Sequence, residues 1–330
     1  VIQALTDANH LWDDLWSSET AKRKEAGEKH PDRQDFFKLI LGVEAYLVDD
    51  LKEIVLHDKG QSLTESTFVV FDIETTGFSP LKNRIIEIGA VKVQNGKIID
   101  RFSEFVNPEV PIPFRIEKLT SITDEMVMQA PTRDEIIPKF LAFCQDCVLV
   151  GHNVSFDMSF INQNCKEMGI EKEFTSVDTL GISRVFFPLQ AKHTLDAVAK
   201  TLNISLEHHH RAVDDAECTA LIFLKFVPMM QEKNVTNLTQ VNALGISTPQ
   251  MVKHLRPHHC IILAKNTLGR VHLYTLISKS HLDFFQRFPL IPKSELLKYR
   301  EGLIIGSACC AGELYGAVVE DRPEQEIARL

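Results

Sequence analysis

Between residues 67 and 106 apolar and polar positions alternate in three blocks, Phe68 to Glu74, Ile85 to Val93 and Ile98 to Phe105, and this pattern predicts three strands. Gly77-Phe78-Ser79-Pro80 and Asn95-Gly96 separate the blocks. Asn-Gly is the dipeptide of a tight hairpin, so the second and third strands are expected to run antiparallel. Beyond them the period lengthens. A helix is expected from Arg133 to about Phe143 with Thr132 as its cap, then a short buried strand from Val148 to Val150. The spacing of Phe156, Phe160 and Met168 predicts a helix over Ser155 to Met168, and a last helix runs from Ala212 to about Met229. Strands first, then alternating helix and strand, predict an α/β domain over about 67–230.

The flanks have a different character. Leu39 to Tyr46, Cys260 to Ala264 and Gly302 to Gly306 read as buried strands, but neither flank holds enough of them to make a domain. One domain, formed by residues 1–60 and 251–330 and interrupted by insertion of the other, resolves this, with 231–250 as the return linker. Ser17 to His30, rich in Glu and Lys, reads as a solvated helix. Val1 to Asp7 reads as the buried end of a strand, and with no initial Met it suggests a piece of a longer chain.

Composition narrows the class. With 330 residues, 44% hydrophobic and 25% charged, the chain suits two ordinary soluble domains. No apolar run reaches the roughly 18 residues that span a bilayer, and no leader pattern opens the chain, so a cytoplasmic protein without a membrane partner is expected. Seven cysteines, scattered from Cys144 to Cys310, argue against a disulfide framework. Cys144 and Cys147 lack the second pair of a zinc ribbon and read as a helix end and a strand start. The formal net charge of −9 makes grip on a polyanion by bulk charge weak, so bound metals, local backbone amides or further polypeptide of a longer chain would supply it.

Chemistry concentrates in four ordered stretches: Phe71-Asp72-Ile73-Glu74-Thr75-Thr76-Gly77, Gly151-His152-Asn153-Val154-Ser155-Phe156-Asp157, Val177-Asp178-Thr179 and His210-Arg211-Ala212-Val213-Asp214-Asp215. Positions i and i+2 of a strand share a face, so Asp72 and Glu74 project together as half a metal cage. Asp157 and Asp215 each sit early in an expected helix, from which short carboxylates can point back over the sheet edge. Four carboxylates and one histidine are the set needed to hold two magnesium ions and deprotonate a water beside a phosphodiester. His210, on a loop entering the last helix, suits the proton acceptor, its ordinary pKa lying near 6.5. Thr75, Thr76 and Gly77 are expected to approach a terminal nucleotide, and Asp178 to cap the helix after it without a catalytic role.

Asp72-x-Glu74, Asp157 and His210-x4-Asp215, together with Leu119-Thr120-Ser121-Ile122-Thr123-Asp124-Glu125-Met126, resemble the DEDDh (DnaQ-like) 3'-5' exonucleases over about half of the chain. The resemblance implies an RNase H-like fold and a two-metal mechanism with Mg2+ or Mn2+ that releases nucleoside monophosphates from a single-stranded or frayed 3' end of DNA. It further implies Asp72, Glu74, Asp157 and Asp215 as metal ligands, with Asp72 bridging, His210 as general base, and Thr75, Thr76, Gly77 and Asn153 as substrate contacts.

The flanks, through Gly42 to Asp50, Arg256 to Ala264 and Tyr299 to Cys309, resemble the split PHP domain, a distorted β/α barrel, of PolC-type DNA polymerase III. That implies a proofreading nuclease whose partners are the rest of the polymerase chain, the sliding clamp and other replisome proteins. Glu44, His259 and Cys309 match PHP ligand positions. The family's Thr-Asp-His motif, however, stands here as Thr6-Asp7-Ala8 with His10 displaced, so a complete PHP metal site is not expected. A PHP phosphoesterase, a replisome scaffold and a free-standing exonuclease are the competing readings.

Overall fold

The computed structural model describes residues 2–29, 40–51, 53–205, 211–244, 252–253, 255–320, 322 and 324–328. Val1, His30, Leu39, the three histidines 208–210 and the end of the expected linker, 245–250, lie outside the described residues. In chain order, α1 (Ile2–Ala26) precedes β1 (Gly42–Val48), β2 (Val55–Leu56), β3 (Phe68–Thr75), β4 (Ile85–Gln94) and β5 (Lys97–Phe105). Next come α2 (Phe114–Thr120), α3 (Asp124–Val127), α4 (Arg133–Phe143), β6 (Val148–Gly151), α5 (Ser155–Glu167), β7 (Ser176–Asp178), α6 (Thr179–Phe186), α7 (Leu195–Thr201), α8 (Ala212–Gln231) and α9 (Leu238–Leu244). The chain continues through β8 (His258–Ala264), α10 (Thr267–Leu282), β9 (Leu290–Pro292), α11 (Lys293–Lys298), β10 (Leu303–Ser307), α12 (Glu313–Val319) and α13 (Glu324–Ile327).

Six strands form a mixed sheet in the order β2-β7-β6-β3-β4-β5. β3, β4 and β5 are antiparallel neighbours, while β6 and β7 run parallel to β3. The β4–β5 hairpin turns on Asn95 and Gly96, both at positive φ (50° and 73°), the backbone for which Asn-Gly is suited. Alternation along β3 divides its side chains between two cores. Val69, Phe71 and Ile73 pack with Phe140 and Phe160 on the α4 and α5 side, whereas Phe68 and Val70 pack with Phe223 and Phe226 of α8. Asp72 and Glu74 continue the second row. Thr132 is the N-cap of α4 as expected, but only its carbonyl accepts from the helix, at Glu135 N and Ile136 N; its hydroxyl makes no cap bond.

A second, four-stranded sheet has the order β10-β8-β1-β9. β1 comes from before the large sheet and its three neighbours from after it, so the two flanks share one sheet and one core, built on Leu47, Ile262, Leu273, Leu276 and Ile291. The described flanks form this open sheet with helices against it rather than a closed barrel.

Two expectations are corrected. The chain start is not a strand end: backbone helix runs unbroken from Ile2 to Ala26 and takes in most of the charged Ser17 to His30 segment. Ala4, Ala8, Leu11, Leu15 and Trp12, Trp16 recur at helical spacing, and no breaker occurs before Gly27. Nor are the described residues of the expected linker, 231–244, a plain connection. Val235, Leu238 and Val241 are buried in the α8-side core together with Ile54, Val55 and Leu63. The Asn242 side chain accepts from Ile54 N (3.0 Å) and Val55 N (2.8 Å) and donates to Val55 O (2.9 Å), tying α9 to β2.

Candidate active site

The site lies where β3, β6 and β7 reach their carboxyl ends. Asp72 and Glu74 share the α8 face of β3, and Asp215, in the first turn of α8, meets them: one carboxylate oxygen from each of the three lies within 4.8 Å of the other two. What brings α8 so close is Gly89. It pairs with Asp72 across the β3–β4 ladder, and a Cβ there would stand 2.0 Å from Val213 N and 2.1 Å from Ala212 C. Only a residue without a side chain lets the helix start rest on the strand.

Beside Gly89, Glu87 fixes the same helix start. Its buried carboxylate accepts from Arg211 Nε (3.0 Å) and Nη2 (2.8 Å) through Oε1 and from Ala212 N (3.1 Å) through Oε2. Arg211 also lies over the Phe105 ring, 5.0 Å from its centroid. Sequence reasoning missed Glu87, Gly89 and Arg211. The signal was a single acid inside an apolar strand, Ile85-Ile86-Glu87-Ile88, which is costly to bury unless partnered.

Asp157 comes to the same strand but stands outside the close triplet: it is buried in the first turn of α5, and its Oδ1 accepts from Ile73 N at 3.2 Å. Asp178 caps α6, its Oδ1 accepting from Leu180 N (3.0 Å), as expected. It also takes Asn153 N (2.9 Å), which holds the β6–α5 turn with Asn153 at φ 67°. His152 secures the other side of that turn. Its Nε2–H donates to His193 O (2.8 Å), Nδ1 lies 2.9 Å from Thr179 Oγ1, and burial pushes its pKa down.

Thr75 and Thr76 hold the turn that follows β3. The Thr75 hydroxyl donates to Gly77 O (2.7 Å), Thr76 N–H to Arg84 O (2.8 Å), and Thr76 Oγ1 accepts from Arg84 N (2.9 Å). The turn they hold presents Phe78, 67% exposed, in edge contact with Phe156 (6.4 Å between centroids) next to Asp157. The Arg115 guanidinium lies 5.8 Å from the Phe78 ring centroid.

The carboxylates strain one another. Burial first, then Asp157, Glu74, Asp215 and Glu87, push Asp72 well above the ordinary carboxylate range. Burial, Asp215 and Glu87 push Glu74 up to about 7. Burial raises Asp157 too, against the backbone N–H bonds that favour its ionised form. An all-oxygen set under this repulsion fits a hard divalent cation such as Mg2+ or Mn2+, whose charge would let the carboxylates ionise together. On the smaller sheet Glu44, His259 and Cys309 also converge: His259 Nδ1 lies 2.9 Å from Glu44 Oε1 and 3.3 Å from Cys309 Sγ.

Residues 69–223 match the exonuclease family RNase_T. Over 299 residues the chain is 48% identical to the DNA polymerase III PolC-type of Clostridium perfringens, a match covering 90% of this chain and 20% of that protein. Over 290 residues it is 47% identical to the DNA polymerase III PolC-type of Caldanaerobacter subterraneus subsp. tengcongensis, covering 88% and 21%. The chain therefore spans about a fifth of the length of these curated relatives. The crystal structure of E. coli Exonuclease I in complex with a dT13 oligonucleotide is similar in fold, with a TM-score of 0.51 at 13% identity over 80% of this chain and 70% of that one.

Proposed function

Because residues 69–223 form an exonuclease domain in a chain homologous to PolC-type DNA polymerase III, we propose that it is the proofreading part of such a polymerase. It hydrolyses the last phosphodiester at a 3' end of DNA and releases nucleoside monophosphates. The observation that carries this reading is the meeting of Asp72, Glu74 and Asp215 within 4.8 Å, with Asp157 against the same strand.

Two divalent cations held by these four carboxylates would polarise the scissile phosphate and acidify the attacking water. The chain's own residues do the rest. His210, directly before the anchored Arg211, accepts the water's proton at its imidazole. Water oxygen bonds to phosphorus as the bond to the 3' oxygen breaks, and the carboxylates hold the geometry. Phe78 and Phe156 offer ring faces on which an unpaired terminal base can stack, and a mismatched end reaches them more often than a paired one because it unstacks at lower cost. Glu87, through Arg211 and Ala212, orients the start of α8, which carries Asp215.

The test is degradation of a 3'-mismatched primer-template with Mg2+ or Mn2+, comparing wild type with Asp72→Ala. Stepwise monophosphate release that Asp72→Ala reduces by at least about a thousandfold is expected, the scale at which a central electrostatic contact is lost. Activity that survives the substitution would place the chemistry elsewhere. Glu44, His259 and Cys309 support a second reading, in which the smaller sheet is a PHP remnant that binds a cation through mixed oxygen, nitrogen and sulfur ligands. Phosphoesterase or scaffold roles would then belong to that sheet, and the exonuclease site would be unaffected.

A further inference from the structure

We infer that Arg184 grips the sugar-phosphate backbone of the DNA strand upstream of the scissile linkage, an inference that rests on the exonuclease reading. β7 ends at Asp178, level with Gly151 of β6, on the strand edge that also ends in Asp72 and Glu74. α6 starts there and turns Thr179, Ile182 and Ser183 into the core, which leaves Arg184 half-buried at the core's margin. Helical side chains lean towards the N-terminus, so the guanidinium is carried back towards the strand edge.

The elements around Arg184 are hydrogen-bonded to one another but give it no acceptor. Ser183 Oγ lies 2.9 Å from His193 Nδ1, and His152 Nε2–H donates to His193 O at 2.8 Å, so the loop before α7 is fixed beside it. Exposed Lys192 stands on that loop. Asp178, the anion within electrostatic reach, already uses Oδ1 for Asn153 N and Leu180 N. Among the described residues the Arg184 side chain makes no hydrogen bond or ion pair.

A guanidinium partly withdrawn from water, with Asp178 near but not ion-paired to it, is a destabilising arrangement that a phosphate relieves, and the planar fork matches two phosphate oxygens. The location adds to this. The chain's net charge is −9 and four carboxylates crowd the site, so a strand approaching it is repelled unless fixed cations mark its path. Arg184 is such a cation, carried on α6, with β7 alone between that helix and the α5 that carries Asp157.

The test uses the whole chain with Arg184→Gln and Arg184→Lys, measured on a single-stranded oligodeoxynucleotide with Mg2+, together with oligonucleotide binding by fluorescence anisotropy in Ca2+. A backbone contact predicts that Arg184→Gln raises KM and the anisotropy Kd by about tenfold and lowers the slope of log Kd against log salt by about 1, with kcat changed by less than about twofold. Arg184→Lys should restore the salt slope and part of the affinity. An unchanged Kd and salt slope, or a fall in kcat and Tm at constant Kd, would overturn the inference and leave Arg184 as a structural counter-charge to Asp178. If the wild type binds but does not cleave, the exonuclease reading fails instead, and the anisotropy series still decides Arg184.

Discussion

At Glu74 the proton has a direct consequence for stability. Its ordinary value of 4.5 applies in the unfolded chain, while burial with Asp215 and Glu87 nearby raises it to about 7 in the fold. Below the lower value both states are protonated and nothing is lost. As pH rises between the two, only the unfolded chain ionises, so the metal-free fold loses stability, on the order of a few kcal/mol. Asp72 and Asp157 are shifted in the same direction and add to the trend. Metal-free Tm should therefore fall between about pH 5 and about pH 8, more shallowly in Glu74→Gln, and saturating Mg2+ should restore it at the higher pH only. Scanning calorimetry across that range checks this, and a Mg2+ effect of equal size at both ends would contradict it.

Between elements, the decisive contact is α8 on β4. The convergence of Asp72, Glu74 and Asp215 depends on a helix start lying directly on a strand backbone, which Gly89 permits and Glu87 fastens through Arg211 and Ala212. In Gly89→Ala the new Cβ meets backbone atoms at 2.0 and 2.1 Å, so no side-chain adjustment can absorb it and the helix must lift away. The expected result is a loss of about 1–3 kcal/mol in urea unfolding, the usual range for overpacking, together with loss of Mg2+-dependent stabilisation as Asp215 leaves Asp72 and Glu74. Gly306→Ala is the control, because its Cβ would find an ordinary contact at 3.8 Å from Ile261. It should leave both measurements unchanged.

On the scale of the whole molecule, the nuclease unit is larger than its motifs. Ile54, Val55, Leu63, Val235, Leu238 and Val241 lie outside 67–230 but are buried in its core. At about 1.5–3 kcal/mol for each buried aliphatic side chain they contribute roughly 10 kcal/mol, comparable with the entire stability of a domain. A fragment of residues 53–244 should fold with a cooperative thermal transition that Mg2+ raises, whereas 67–230 should show none. Circular dichroism melts of the two fragments test this directly, and a cooperative 67–230 fragment would show that β2 and α9 are accessory. The smaller sheet has the opposite dependence: β1 and β8 to β10 are separated by the whole nuclease unit, so neither flank completes the sheet alone.

What the sequence determined by itself is whatever a local period encodes. The alternation of β3, β4 and β5, the Asn95-Gly96 turn, the helices from Arg133, Ser155 and Ala212, and the strands of both flanks are all present near their expected bounds. So is the pairing of Asp72 with Glu74, which needs only a strand's period of two. β2 and β9, two and three residues long, are too short to carry a period. A seven-residue window at Val1 to Asp7 could not separate a strand from the first turns of a long helix. Only the tertiary structure decided how Glu87 and Arg211, 124 positions apart, meet at the start of α8. It also decided that β2 and α9 belong to the nuclease core, because a contact between distant segments leaves no periodic trace along either one.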